Sequence, residues 1–146
     1  MDKSDNFDIF HGLEKYRERN AVRVEKLKEI ILKDSVWLTE EDLIHRNNQL
    51  TKKEIDIWNH ENKIFGLEKD GLIVFPEYIF DENAHPIASV KKVLDIFDNE
   101  KKDWNIVFWF ESLNSWLGNI KPKDALREED KLIFAATREK EGVLHG

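Results

Sequence analysis

Apolar residues recur at helical spacing through most of this chain, and the places where the spacing fails mark its turns. Over residues 13–32, Leu13, Tyr16, Val24, Leu27, Ile30 and Ile31 form an interrupted stripe that predicts one long helix. Between them Glu14, Glu18, Glu25 and Glu29 alternate with Lys15, Arg17, Arg19, Arg23, Lys26 and Lys28. That pattern supplies ion pairs three and four residues apart, each worth roughly 0.2–0.5 kcal/mol. It reads as a solvated face, or as a helix that pairs with its copy or touches phosphates. Asp34-Ser35 breaks the pattern. Thr39 then caps a short helix at about 40–46, whose first turn, Glu40-Glu41-Asp42, suits the positive end of the helix dipole. Asn47-Asn48-Gln49 is a polar turn, and Thr51 opens a third helix, with Glu54 three positions on to complete a capping box. Ile55 and Trp58 face inward there, and Lys52, Lys53, Asp56, Asn59 and His60 outward. Two short helices joined by a tight polar turn are what a helix-turn-helix requires.

The periodicity then changes from helical to alternating. Asp70-Gly71 between the apolar arms 64–68 and 72–75 predicts a β-hairpin, because a tight primed turn needs positive φ and Gly and Asp tolerate it. Pro76 ends the second arm. A hairpin directly after a third helix has the layout of a wing. Residues 77–81 and 83–86 read as loop, and a helix from His85-Pro86 carries Ile87, Val90, Val93, Leu94 and Phe97. After a charged turn at 98–103 comes the most aromatic stretch, 103–126, with Trp104, Trp109, Trp116, Phe108 and Phe110. Its spacing predicts a helix over 105–117, ended by Gly118 and blocked from continuing by Pro122. Phe108 and Trp109 leave the main apolar face, so this helix has to pack against more than one surface. A short helix at 123–127 and a last one at about 129–139, packed through Leu132, Ile133, Ala135 and Ala136, complete the chain.

Composition narrows the function classes. With 146 residues, 40% apolar and 36% charged, the chain has room for one ordinary domain or two small packed modules. Zero cysteines exclude disulfides, thiolate metal sites and a cysteine nucleophile. The N-terminus is acidic and lacks an apolar signal core, and no window is apolar enough to cross a bilayer, so the expected location is cytoplasmic and no membrane partner is expected. The net charge of −7 means that any duplex-binding surface has to overcome phosphate repulsion. Only the early helix is basic, since residues 11–34 carry seven Lys/Arg against five Asp/Glu.

Catalytic signals are weak. His11, His45, His60, His85 and His145 are scattered, and His60-Glu61 lacks the second histidine that a zinc-protease helix needs. Ser112 and Ser115 have no nucleophile-elbow context, and no glycine-rich phosphate loop is present; Gly71 is explained by turn geometry. The expectation is a protein that is not an enzyme, with no cofactor and no metal.

The order helix-turn-helix, then K-I-F-G-L-x-x-D-G-L-I-V-F-P-E-Y-I-F-D, resembles a MerR-like winged helix-turn-helix of the kind fused to bacterial antitoxin-like proteins. The following D-W-N-I-V-F-W-F-x-S-x-N-S-W-L-G-x-x-x-P-x-D-A-L is similar to the toxin-binding domain of antitoxins paired with RES-type toxins. Trp104, Phe108, Trp109, Phe110, Ser112, Asn114, Leu117, Gly118, Pro122, Asp124 and Leu126 carry that second likeness. Together the two cover roughly residues 36–140. The resemblance implies a homodimeric antitoxin-like transcription regulator that binds its own promoter duplex and neutralises a RES-type toxin. NAD would then be the toxin's substrate and not a cofactor of this chain. The alternative is a protein-interaction module with a degenerate helix-turn-helix and no nucleic acid.

The expected architecture is mostly α, a helix-turn-helix with a small β-hairpin wing packed on a C-terminal helical module. The expected segments are an N-terminal charged helix (1–34), a winged helix-turn-helix-like module (35–81) and a C-terminal antitoxin-like interaction module (82–146). Lys52, Lys53, Asn59 and His60 would approach the major groove, and Lys63 and Lys69 the backbone. Yet the third helix, taken over 51–63, has Lys52, Lys53 and Lys63 against Glu54, Asp56 and Glu61, a sum of zero. Partner binding would fall to Trp109, Ser112, Asn114, Trp116 and His145. The plainer readings of these are a core or anchor tryptophan at 116, an amide satisfied within the 118–122 turn for Asn114, and a frayed terminus for His145.

Overall fold

The structure, a computed structural model, describes the backbone of residues 3–145 and the side chains of residues 11–142. The chain divides into two compact units, Met1–Ser35 and Val36–Gly146. The first is a single helix, α1 (Lys3–Asp34). It begins well before Leu13, where the apolar stripe starts, because a nucleated helix propagates by one backbone bond per added residue and needs no stripe to continue.

The second unit opens with β1 (Trp37–Leu38), then α2 (Glu40–Arg46) and α3 (Lys52–His60). Both helix starts are fixed by threonine caps. Thr39 Oγ1 accepts from the Asp42 N–H at 3.1 Å while the Asp42 carboxylate accepts from the Thr39 N–H at 2.9 Å, a complete capping box. Thr51 Oγ1 accepts from the Glu54 N–H at 3.2 Å. The connecting turn is held by Asn47, whose side-chain oxygen accepts from the Gln49 N–H and whose amide donates to the Asn83 carbonyl. Leu43, Leu50 and Ile55 are buried beneath it, so α2, the turn and α3 share one apolar underside.

β2 (Leu67–Lys69) and β3 (Leu72–Pro76) form the hairpin, with Glu68 opposite Ile73 and Lys69 opposite Leu72. Asp70 and Gly71 both have positive φ, 51° and 81°, the signature of a type I′ turn. β1 pairs antiparallel with the far edge of β3, Leu38 opposite Phe75, so the sheet has three strands in the order β1-β3-β2. Gly66, just before β2, is required by proximity: a Cβ there would lie 2.7 Å from the Val74 carbonyl oxygen and 2.8 Å from the Phe75 ring.

A 3-10 turn at Glu77–Ile79 leads to α4 (Ala88–Phe97), α5 (Trp104–Glu111) and α6 (Glu129–His145). α4 packs on α6, and the Ser89 hydroxyl donates to the Leu126 carbonyl at 2.8 Å across the buried junction. Phe110 centres the aromatic core. Its ring stacks on Phe65 at 5.0 Å, meets Trp109 edge-on at 5.0 Å and reaches Tyr78 at 6.3 Å, while Trp109 also meets Phe97 edge-on at 5.1 Å. These contacts join the segment before the hairpin, the segment after it and both following helices into one core.

The expected helix over 105–117 is shorter than its periodicity. It ends at Glu111; Ser112 is extended, and Asn114 caps a separate 3-10 turn at Ser115–Leu117. Local side-chain bonding decides this: the Ser112 hydroxyl donates to the Phe108 carbonyl at 2.6 Å, and Asn114 Oδ1 accepts from the Trp116 N–H at 2.9 Å. Asn114 also pairs by backbone with Ile120, and Gly118 takes the left-handed conformation between them. A 3-10 turn at Pro122–Asp124 replaces the expected helix at 123–127. The fold is mostly helical with one small antiparallel sheet, and no described helix is long and apolar enough to cross a membrane.

Candidate functional site

The sequence-predicted cations fall on three different surfaces. On α3, burial of Ile55 fixes the rotation of the helix, so Lys53, Asp56, Ile57 and His60 share the exposed side and Lys52 and Asn59 lie on its flank. Lys52 approaches the start of α2, with its ammonium 3.6 Å from Glu40 Oε2. Partial burial, followed by the hydrogen-bonded Asp56 carboxyl, pushes the Glu40 carboxyl up from its ordinary value. Lys52 therefore has one loose acidic partner and remains largely exposed. Asn59 lines a crevice of about 210 Å³ with Phe65, Leu94, Asn99 and Ile106. Lys69 is exposed on the hairpin.

Lys63 belongs to a different surface again. Asn62, in the left-handed region at φ 60°, turns the chain out of α3 and delivers Lys63 to a cleft of about 510 Å³. Trp58, His85, Pro86, Lys91 and Lys92 line the same cleft. Lys91 Nζ donates to the Glu61 carbonyl at 3.2 Å and pairs with Asp95 at 3.0 Å; Lys92 pairs with Glu129 at 2.8 Å and Lys63 with Glu61 at 3.3 Å. Lys91 and Lys92 are cations that the sequence reading did not single out. On the chain they are an ordinary pair on the polar face of α4, and only the fold sets them beside the end of α3.

The predicted partner-binding residues also separate. Trp109 is a core residue, and its indole N–H is buried with no hydrogen-bond partner among the described residues. With Ser112 and Asn114 it lines an open cavity of about 320 Å³, whose lining also includes Lys101 and Glu139, ion-paired at 3.0 Å. Trp116 faces outward, 53% exposed. It meets Phe134 of α6 edge-on at 5.8 Å, and the Arg138 guanidinium lies 5.1 Å from the Trp116 ring and 5.2 Å from the Phe134 ring. Leu113 and Ile120 are exposed nearby in sequence. The side chain of His145 lies outside the described residues.

Beneath these surfaces runs a buried polar cluster. The Glu111 carboxylate, at the end of α5, pairs with Lys123 at 2.8 Å, and the Lys123 ammonium stands 5.7 Å from the Tyr78 ring. The Tyr78 hydroxyl is buried without a partner of proper hydrogen-bond geometry among the described residues. Burial first, and then the nearby Glu111 carboxylate, push its ionisation above the usual tyrosine range. No group of three or more metal-ligating side chains occurs among the described residues.

No family model matches the chain, and comparison with curated proteins gives no match. Among solved structures, the NMR structure of Rv2175c is similar, with a TM-score of 0.64 at 17% sequence identity, covering 73% of this chain and 82% of that one. At that identity the likeness is one of fold, and it places the mostly helical architecture with its small sheet among known protein folds.

Proposed function

We propose that this chain is a DNA-binding transcriptional regulator of antitoxin type, with α3 entering the major groove and the hairpin lying along the backbone beside it. The observation that carries this reading is the construction of residues 37–76. A capped pair of short helices is joined by a tight asparagine-held turn, its second helix is buried on one side and free on the other, and a type I′ hairpin follows in the same sheet. That is the arrangement by which a recognition helix is offered to a groove. Lys53 and His60 on the free side approach base edges, Lys69 approaches one strand from the hairpin, and Lys63 with Lys91 and Lys92 approach phosphates at the other end of α3. With an overall charge of −7, contact rests on these few cations and is salt-sensitive.

The test is titration of the full chain against a duplex from its own upstream region across salt concentration. About four phosphate contacts would give a log–log slope of roughly −3.6. Lys53→Glu should abolish sequence-preferring binding, and Lys63→Ala should lower the slope by about 1 while leaving preference intact. No binding at low salt sinks the reading.

A protein partner is the second part of the proposal. The Trp116–Phe134–Arg138 surface favours it, because an exposed aromatic pair with an arginine over both rings has the composition of a binding anchor. A RES-type toxin is the partner the sequence resemblance suggests. The acids around Lys52 favour the narrower alternative, a protein-binding module that has lost nucleic-acid contact. Coexpression with a RES-type toxin tests this part: Trp116→Ala should release a toxin that the unaltered chain retains.

A further inference from the structure

We infer that α1 is a self-association element, and that two copies of the chain pair through it in antiparallel orientation. The helix runs from Lys3 to Asp34, 32 residues, and belongs to a compact unit of its own. At 1.5 Å per residue it is roughly 48 Å long. Five of its apolar residues share one side: Leu13, Tyr16, Val24, Leu27 and Ile30 fall within about a third of the helix circumference at 100° per residue, as does Ile31, which is buried. Leu13, Tyr16, Leu27 and Ile30 are nevertheless 42–65% exposed. A helix this polar on its remaining surface has no reason to keep that stripe unless something covers it.

The charge distribution identifies the cover. Residues 1–14 carry four acids and one lysine, whereas residues 15–33 carry seven bases and three acids. Two copies side by side in the same direction would lay acids on acids and bases on bases. Reversing one copy about Asn20 sets residues 1–14, net −3, against residues 26–33 of the other, net +2, while residues 15–25 face their own copy, and the opposed helix dipoles add to the preference. The pairing is isologous, with the same patch used twice about a two-fold axis, and it closes at two copies. Asn20 lies on the stripe near its midpoint, where a polar residue in an apolar seam restricts the register and orientation of the pair. The stripe from Leu13 to Ile30 spans fewer than three heptads, so the association is expected to be concentration-dependent. It stands apart from the DNA reading: it requires no nucleic acid, and it is measured without any.

Sedimentation velocity of the full chain from about 2 to about 200 µM tests the inference, because mass action shifts a dimer of this kind across such a range. The expected result is a mass rising from 17.4 kDa toward twice that value. Leu27→Glu with Ile30→Glu should hold the mass at one chain. Val22→Glu should leave the dimer intact, because Val22 is just as exposed, at 54%, but lies on the opposite side of the helix. Circular dichroism of the double variant separates a lost contact from a lost helix, and urea unfolding of residues 36–146 followed by core tryptophan fluorescence should be unchanged. The chain has no cysteine, so Gly12→Cys, at a site with open space for a side chain, can carry one spin label per copy. With the two-fold near Asn20, antiparallel copies hold these labels roughly 25 Å apart along the axis, and parallel copies hold them side by side. A single-chain mass at every concentration overturns the inference. So does a dimer that survives the double variant with α1 still helical, and a short label distance overturns the orientation.

Discussion

Replacing Lys123 by methionine removes one ammonium and keeps nearly the same side-chain volume, so its effect isolates the charge. The Glu111 carboxylate it leaves behind is 2% exposed, against 19% for Lys123 itself, and the two groups are 2.8 Å apart. Breaking a buried pair from one side costs about 3–5 kcal/mol, because the remaining charge loses its counterion away from water. Lys123 is the more open of the two, and water entering at its position relieves part of the penalty, which favours the lower end, about 3 kcal/mol. The methionine retains packing near Tyr78, so little of that loss is cavity. Glu111→Gln should cost less, about 1–2 kcal/mol, since the Lys123 ammonium it leaves behind is the more exposed of the two and the amide oxygen can still accept from it. The double variant should then recover part of the Lys123→Met loss, giving a coupling energy of about 1–2 kcal/mol in the cycle. Urea unfolding at pH 7, followed by tryptophan fluorescence from the core, provides all four values. A loss below about 1 kcal/mol for Lys123→Met, with no coupling, would show that water already solvates Glu111 and that the pair does not fasten α5 to the Pro122–Asp124 turn.

Two further substitutions test other parts of the packing. Tyr78 keeps its proton in the folded state above the ordinary tyrosine value of about 10, because burial and then Glu111 disfavour the phenolate. Its contribution to stability is therefore complete below about pH 10 and is lost as pH rises past that value, where only the unfolded chain ionises freely; Tyr78→Phe should flatten this alkaline decline in Tm relative to the unaltered protein. Equal slopes between about pH 9 and 11 would place the hydroxyl in water. Gly66→Ala should destabilise by about 2–3 kcal/mol, since the new methyl group meets a carbonyl at 2.7 Å and an aromatic ring at 2.8 Å. Gly12→Ala, in a helix with open space around it, should raise the helicity of α1 and stabilise it by about 0.5–1 kcal/mol; thermal unfolding monitored by circular dichroism reads both glycine variants.

The contrast between what local sequence determined and what it left open follows the distance over which each feature is decided. α2, α3 and the hairpin were readable because their signals act within four residues: Thr39 with Asp42, Thr51 with Glu54, and Asp70 with Gly71 each satisfy backbone or turn geometry on the spot. β1 was not, because two residues carry no period; Trp37 and Leu38 become a strand only when Pro76 and Phe75 are beside them. The end of α5 failed for a different reason. Leu113 and Leu117 continue the apolar spacing, but periodicity takes no account of the hydroxyl and amide at Ser112 and Asn114, which bond their own backbone in place of a continuing helix.

The candidate DNA surface shows the same division with a functional consequence. Lys52 and Lys53 are conspicuous in sequence as adjacent cations at the start of the third helix, yet Lys52 is drawn toward Glu40 by the way α2 and α3 pack. Lys91 and Lys92 drew no notice, and the fold carries them across some thirty positions to the other end of α3, where Lys91 reaches the Glu61 carbonyl. If α3 binds a duplex, the positive charge holding it is gathered near its C-terminal end, around Lys63, and not at the capped N-terminus. This gives the two ends opposite responses to substitution. Lys91→Glu with Lys92→Glu, on a helix that is not the reading helix, should weaken duplex binding at every sequence and lower its salt slope, since phosphate contacts carry no base preference. Lys52→Glu should change affinity by less, because it replaces one cation where the Lys91/Lys92 variant replaces two. Fluorescence anisotropy with one cognate and one scrambled duplex, at two salt concentrations, measures both. A larger loss from Lys52→Glu than from the Lys91/Lys92 pair would mean that the duplex displaces Glu40 and that the N-terminal end of α3 carries the contact.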